Sequence, residues 1–345
     1  LANTKVSGHW LDNVSIATAN QRPRKHTRRV TILLGKLSLL FEEFLIFIAL
    51  LLLVLFFGLM TENFFTLGTL RTISTQLPAL TVVTIGMTLV LISGGIDLSV
   101  GSVVALSSGV IGIAFTVFEL PLPVAAILGI LAGGCAGLIN GFLGSYLRLP
   151  VFIVTLGMLE AGRGMAYLVT DSQTVYIGAS IQALSLPISG IGVSASFLIS
   201  LGLVVLAQYV LTRTVYGRYL IAIGTNEQAA KISGIRTEPY LMWVLVMSGL
   251  LAGLGGLMNA AYLGASDPNA ATGLELSAIA AAVIGGTSLM GGRGSIVGAF
   301  IGVLIISVLQ NGLAQMGVSE PVKRLITGLV IILAVLIDRW RGRQV

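Results

Sequence analysis

Residues 124–147, VAAILGILAGGCAGLINGFLGSYL, are 24 consecutive positions without a charged side chain. The hydrocarbon core of a bilayer is about 30 Å thick, and about 20 apolar residues in an α-helix cross it. The stretch therefore predicts a membrane-spanning helix. Its glycines recur every fourth residue, at Gly129, Gly133, Gly137 and Gly141, and so line one face. Small residues let helices approach closely in lipid, so we expect these glycines to pack against another helix.

The rest of the chain has the same character. It has 345 residues, of which 55% are hydrophobic and 10% are charged, and 43 are glycine. Water-soluble domains carry about 25% charged residues, so that class of protein is excluded. Cys135 is the only cysteine, which rules out an intramolecular disulfide and a cysteine metal cluster. We therefore predict an all-α, polytopic bundle of transmembrane helices without a metal site.

Ten apolar runs predict about ten crossings of the membrane. They cover residues 37–60, 80–92, 100–118, 124–147, 151–169, 195–211, 240–263, 276–290, 296–315 and 325–337. The second and eighth runs are short and interrupted by glycine, as in half-helices that turn back inside a protein. Eight crossings is therefore the alternative.

Basic residues set the predicted orientation. Seven Lys and Arg side chains precede the first run, and Arg339, Arg341 and Arg343 follow the last. By the positive-inside rule, both termini and the long connection 212–239 are cytoplasmic. This gives a basic cytoplasmic tail (1–36) with no cleaved signal peptide, a transmembrane domain (37–338) and a basic cytoplasmic C-terminus (339–345). We interpret the positive charge as an orientation signal and not as nucleic-acid binding; contact of the basic tail with anionic membrane lipid is the alternative.

Two further stripes consist of small residues that recur at every fourth position. Gly294, Gly298 and Gly302 form one, and Ala252, Gly256 and Ala260 form the other. We expect both to serve helix packing, as in the first stripe.

The segment SGGIDLSVGS, residues 93–102, places one acid between two apolar runs. Placing a carboxylate within the hydrocarbon core of the membrane costs free energy, so such a group is usually paired, caps a helix or has a function. Asp97 could accept from the amides of Ser99 or Val100 as the N-cap of the next helix. The alternative is a direct role in gating or in the translocation path.

The connection 212–239 predicts a short exposed helix. Asn226 suits an N-cap, Gly234 suits the position after a helix end, and good helix formers lie between them. Ala229, Ala230 and Ile232 would form a small apolar face that needs a partner to cover it. A simple linker is the alternative.

The glycine-dense stretch 282–295 could be mistaken for a phosphate loop. It lacks the pattern G-x-x-x-x-G-K-[ST], and apolar runs flank it. The chain therefore has no recognisable ATP site. Its only histidines, His9 and His26, lie in the tail, so we do not expect an enzyme.

A few polar residues interrupt the predicted crossings. Glu160 and Arg163 have the spacing of an ion pair on one helix face, which could serve packing or the path. Asn140, Asn259 and Asn311 are neutral hydrogen-bonding residues that could line a path for a polyol or bridge helices.

Three stretches together resemble a known family. They are SGGIDLSVGS (93–102), GRYLIAIGTNEQAAKISGI (217–235) and ELSAIAAAVIGGTSLMGGRGSIVGAFIGVLIISVLQNGL (275–313). They are similar to segments of the ribose/xylose/arabinose-type sugar permeases, the membrane subunits of bacterial ABC importers. The similarity covers about residues 60–338.

The resemblance implies a permease of the inner membrane that works as a pair with a second permease subunit. A periplasmic binding protein would deliver a monosaccharide, and a separate cytoplasmic subunit would bind and hydrolyse ATP, so this chain would need no cofactor. The coupling segment that enters the ATPase would be Gly224 to Gly234, with candidate residues Gly224, Asn226, Glu227, Ala229, Ala230, Ser233 and Gly234. The alternatives are a branched-chain amino-acid permease of the ABC class and an ion-coupled secondary transporter.

Overall fold

The computed structural model describes residues 45–188, 190 and 192–342, with side chains as far as residue 336. It contains thirteen helices and two short strands in this part of the chain. The helices are α1 (Leu45–Met60), α2 (Leu67–Ile92), α3 (Val100–Thr116), α4 (Leu122–Ser145), α5 (Val151–Val169), α6 (Ala179–Gln182), α7 (Ala195–Arg213), α8 (Val215–Thr225), α9 (Glu227–Ile232), α10 (Thr237–Leu263), α11 (Leu274–Ile284), α12 (Ile296–Gln315) and α13 (Glu320–Gly342); the strands are β1 (Val175–Tyr176) and β2 (Ala265–Ser266). The tail 1–36, the start of the first run and residues 343–345 lie outside the described residues.

The predicted all-α bundle is confirmed. In the described part of the chain, α2, α4, α5, α7, α10 and α12 are long and apolar enough to cross a membrane, and α1, α3 and α11 are shorter apolar helices. Every one of the ten predicted runs overlaps one helix of at least eleven residues.

The predicted limits of the second run were wrong. That run is the second half of α2, a single helix of 26 residues that begins at Leu67. The preceding residues are too polar for an apolar run, but their hydroxyls bond back to the helix: Thr72 donates to the carbonyl of Gly68 and Ser74 to that of Arg71. Because these polar groups are satisfied locally, the helix extends through them.

The eighth run, by contrast, is a short helix. α11 has 11 residues and ends at Ile284, which at 1.5 Å per residue is about 16 Å, or half the depth of a bilayer core. The chain then turns at Gly285 and Gly286, the latter with φ of +88°. α11 packs directly on α12, since a Cβ on Gly302 would meet the carbonyl of Ala281.

The centre of the bundle is α10, which packs against α2, α3 and α4. The contact with α4 is made through glycine on both sides. A Cβ on Gly133 would lie 2.9 Å from Cα of Gly253, and a Cβ on Gly137 would lie 3.1 Å from Cα of Gly249. The glycine stripe of α4, from Gly129 to Gly141, therefore brings the backbones of α4 and α10 into contact.

The connection between α5 and α7 is a folded segment at one end of the bundle. It contains the short helix α6. The segment also contains β1, which pairs antiparallel with β2 after α10. Ile181 of α6 is fully buried beside Ala260 and Ile111, which anchors the segment on the bundle.

Candidate functional site

Three stretches singled out in the sequence meet at one end of the bundle. Gly224, near the end of α8, lies directly against the carbonyl of Ile92 at the end of α2. The amide of Gly292, in the turn after α11, donates to the same Ile92 carbonyl at 2.9 Å. A Cβ on Gly291 would lie 3.0 Å from Cα of Gly94. We call this contact of the segments 92–94, 224 and 291–292 the glycine junction.

Glycine is required at the junction for two physical reasons. Gly291 and Gly292 have φ of +85° and +73°, in the left-handed region that other residues avoid. At Gly224 the backbone is helical, but a Cβ would overlap the Ile92 carbonyl and lie 2.7 Å from the amide nitrogen of Gly292. The segments therefore approach at backbone distance, and a shift of one must displace the others.

The predicted short helix is present beside the junction as α9, Glu227–Ile232. Asn226 is its N-cap, with its side chain accepting from the Ala229 amide at 2.9 Å. Gly234 follows the end of the helix with φ of +87°. Ser233 donates its hydroxyl back to the Ala229 carbonyl at 2.9 Å, so both ends of the helix are capped.

The exposed face of α9 differs from the prediction. Ala230 is 5% exposed and packs inward, so it does not belong to a docking face. Ala229 is exposed, and Ile232 is 88% exposed, which is unusual for a large apolar side chain. The face available to a partner is therefore Ala229 and Ile232.

Ion pairs fix α9 to the start of α10 and to the turn between α4 and α5. Lys231 lies 2.7 Å from Glu227 and 3.7 Å from Glu238, and Arg148 lies 3.8 Å from Glu238. The hydrogen bond from Lys231 holds the pKa of Glu227 below its usual range, so the Glu227 carboxylate is charged at neutral pH. The buried Thr237 also donates to Glu227, at 2.9 Å. Sequence analysis missed this group, although Glu227 and Lys231 have the helical i, i+4 spacing.

A cavity of about 360 Å³ lies between these ion pairs and the segment 93–95. Its polar lining consists of Ser93, Ser145, Arg148, Glu227, Gln228 and Lys231. The side chains of these ion pairs therefore face the connection between α2 and α3 across the cavity.

Asp97 is 1% exposed and is held by three neutral donors. Its carboxylate accepts from the Ser99 amide at 3.0 Å, the Ser99 hydroxyl at 2.6 Å and the Ser248 hydroxyl on α10 at 2.8 Å. The N-cap of α3 is Ser99, so Asp97 lies two residues before the cap, and the predicted N-cap position was wrong. Asp97 instead orders the turn before the helix and ties it to α10.

Asn140 joins the same cluster from α4. Its amide donates to the Ser99 hydroxyl at 3.0 Å, and the side chain is 1% exposed. Among the described residues its carbonyl oxygen has no hydrogen-bond partner. The Asp97 cluster, defined as Asp97, Ser99, Asn140 and Ser248, thus connects α4, α10 and the turn that leads from the glycine junction into α3.

The predicted ion pair between Glu160 and Arg163 is wrong. No such pair occurs among the described residues, and Glu160 is exposed. The Arg163 guanidinium instead donates to the carbonyls of Pro268 and Ala270, the latter at 2.9 Å. Arg163 therefore fixes the connection between β2 and α11. Backbone carbonyls offer no residue-type signal that sequence analysis could have used.

Asn311 lies at the other end of the bundle in a chain of neutral polar groups. Its amide donates to Gln76 at 3.1 Å, and Gln76 donates to the Tyr262 hydroxyl at 2.8 Å. These residues line a cavity of about 610 Å³ between α2, α10, α11, α12 and α13. Asn259, on α10, does not line this cavity, and its carbonyl oxygen has no partner among the described residues.

Comparison with known proteins identifies the family. Residues 69–335 match the family described as branched-chain amino acid transport system / permease component. The chain is 40% identical to the ribose import permease of Escherichia coli over 296 residues, covering 84% of this chain and 92% of the relative. It is 36% identical to the fructose import permease of Rhizobium meliloti, with coverage of 84% and 82%. It is also 36% identical to the D-allose transport system permease of Escherichia coli, with coverage of 88% and 93%. No solved structure matches the chain. The match over 69–335 and these identities show that the chain belongs to this family of transport-system permeases.

Proposed function

We propose that this chain is the permease subunit of a bacterial ABC importer and forms the translocation path for a monosaccharide. The relatives above are import permeases for ribose, fructose and D-allose, at 36–40% identity. The family description names branched-chain amino acids, but these sugar permeases do not support the amino-acid alternative. The six long apolar helices in the described part of the chain and the family together make it a multi-pass protein of the bacterial inner membrane.

The proposed topology has ten crossings with both termini in the cytoplasm. The eighth crossing is made by α11 together with the turn after it, because Gly292 of this turn bonds to Ile92 at the end of α2. It places α8, α9 and the glycine junction at the cytoplasmic end and the cavity beside Asn311 at the outer end. Support comes from Arg213, Arg218, Lys231 and Arg236, which all lie in or beside the segment α8–α9, as the positive-inside rule requires.

The energy for transport would come from a separate ATPase subunit that binds ATP, and α9 would be the segment that it contacts. The observation that supports this proposal is the glycine junction, which links the segment before α9 to the end of α2 and to the turn between α11 and α12 at backbone distance. Closure of the ATPase would move α9 and, through Gly224, would favour one arrangement of the helices, which is a population shift. The Asp97 cluster would carry this change into α3, α4 and α10.

The other proposed partners complete the importer. A periplasmic binding protein would deliver the sugar to the outer end, and a second permease subunit would form the other half of the path. Relatives of this chain are transport permeases and not enzymes, in agreement with a subunit that performs no chemistry of its own.

The test is a single substitution on the exposed face of α9. Ile232→Arg adds a charge where an apolar side chain is 88% exposed, so it leaves the bundle intact but disturbs a docked partner. We expect normal insertion, with sugar uptake reduced at least tenfold and ATP hydrolysis no longer linked to uptake. Ile232→Leu, which keeps the apolar side chain, is the matched control and should transport normally. Normal uptake by Ile232→Arg would contradict the assignment of α9.

A further inference from the structure

The outer cavity contains a continuous row of neutral hydrogen-bonding groups. Asn311 donates to Gln76, and Gln76 donates to Tyr262, so side chains from α12, α2 and α10 are linked across the cavity wall. Among the described residues, neither the Asn311 carbonyl oxygen nor the Tyr262 hydroxyl proton has a further partner, and Gln310 makes no side-chain hydrogen bond beside them. The row therefore still offers both donors and acceptors to a ligand.

The size and place of the cavity fit a solute on its way through the bundle. Its volume of about 610 Å³ lies within the usual range for small-molecule sites. Tyr262 is near the end of α10, whereas Thr237 at the start of that helix contacts α9. The separation of 25 residues corresponds to about 38 Å along the helix. The cavity is therefore at the end of the bundle away from α9.

The charges beside the cavity favour a neutral ligand. The charged side chains of the lining all lie on α13, where Glu320 is 2.6 Å from Lys323 and 3.8 Å from Arg324, whereas the row from Gln76 to Asn311 is neutral. An amino acid would need separate charged partners for its carboxylate and its ammonium group. Hydroxyl groups of a sugar need only neutral donors and acceptors, and the ring of Tyr262, which is 41% exposed, adds an apolar surface.

We propose that this outer cavity is a monosaccharide-binding site on the translocation path, in which Gln76, Tyr262 and Asn311 bind sugar hydroxyls. The proposal rests on the proposed function and deepens it: selection of the sugar then occurs in the permease as well as in the binding protein. Gln76 and Asn311 are specificity-determining residues of this site, because an amide that loses its hydroxyl partner is left unsatisfied.

The experiment measures uptake by the complete importer of labelled D-ribose, D-fructose and D-allose, normalised to the amount of permease in the membrane. Gln76→Leu and Asn311→Leu remove the amides at nearly constant volume. We expect each to reduce uptake of the transported sugar at least tenfold and to change the uptake ratio among the three sugars. Gln315→Leu is the matched control, since Gln315 is one turn further along α12, bonds to Thr69 at 2.8 Å and does not line the cavity. It should keep both the rate and the ratio.

A second measurement does not depend on the leucine variants folding. Ser277 lines the cavity, so Ser277→Cys in a Cys135→Ala chain reports access to it by maleimide labelling. We expect the transported sugar, added at saturating concentration with its binding protein, to slow labelling at least fivefold. If the wild type takes up a sugar and both leucine variants take it up equally well, this site is overturned while the proposed sugar class stands. The same holds if the sugar leaves the labelling rate unchanged. Failure of the wild type to take up any of the three sugars would overturn the proposed sugar class and this site with it.

Discussion

Replacing Gly224 by alanine is expected to separate the three segments of the glycine junction. The added methyl group would overlap the Ile92 carbonyl and lie 2.7 Å from the Gly292 amide nitrogen. Both neighbours are backbone atoms, so no side-chain rotation relieves the overlap. The backbone of α8 must move away from the end of α2 and from the turn between α11 and α12.

The cost follows from two contributions. Overpacking in a close contact costs about 1–3 kcal/mol. The methyl group would also lie against both partners of the 2.9 Å hydrogen bond from Gly292 to Ile92, and loss of this bond would cost about 1 kcal/mol more. We therefore expect the unfolding free energy in detergent to fall by about 2–4 kcal/mol. Uptake per molecule of inserted permease should fall at least tenfold, because movement of α9 is no longer transmitted to α2 and to the turn between α11 and α12.

The matched control is Gly202→Ala in α7. Gly202 is also helical, but an added Cβ would meet no atom within 4 Å. The substitution should be neutral or should stabilise the helix by about 0.5–1 kcal/mol, with normal uptake. Equal stability and equal uptake for Gly224→Ala and Gly202→Ala would refute the reasoning about the junction.

Two further predictions concern the interior of the bundle. Asp97→Ala removes the acceptor of three hydrogen bonds and should lower the unfolding free energy in detergent by about 2–3 kcal/mol. In Asp97→Asn the amide can still bond to Ser99 and Ser248, so the unfolding free energy should fall by less than half of that amount. Equal losses in the two variants would contradict the role of Asp97 in the cluster. Gly137→Ala places a methyl group 3.0 Å from Cα of Val246 and should lower the unfolding free energy by about 1–3 kcal/mol in the same assay. In Gly157→Ala the methyl group meets no atom within 4 Å, so the unfolding free energy should not fall. The same loss in both variants would contradict glycine-mediated packing of α4 on α10.

Apolar runs predicted most of the fold because a helix that crosses the hydrocarbon core must consist mainly of apolar residues. The limits of α5 and α12 were predicted to the residue, since Pro150 and Ser295 mark their starts. The start of α2 was missed because its first half is polar and satisfies its hydroxyls within the helix. A search for apolar runs does not register hydrogen bonds of this kind, so it could not show that the polar stretch is helical.

The candidate site was predictable in part. Asn226 and Gly234 mark α9 by their capping chemistry, which is local and therefore visible in the sequence. The inward position of Ala230 depends on how α9 packs on α10, and the partners of Arg163 are backbone carbonyls of a distant loop. Those contacts join residues far apart in the chain, so spacing gave no signal for them.

The most direct test of the account compares accumulation of the transported sugar in vesicles with and without the partner subunits. This chain alone, purified and reconstituted, should accumulate nothing, and an imposed ion gradient should not change that. When the ATPase and the binding protein are added, and ATP is supplied on the side of the membrane that carries the ATPase, the same vesicles should concentrate the sugar. Accumulation by the chain alone would contradict the claim that its motion is driven through α9 by a separate ATPase.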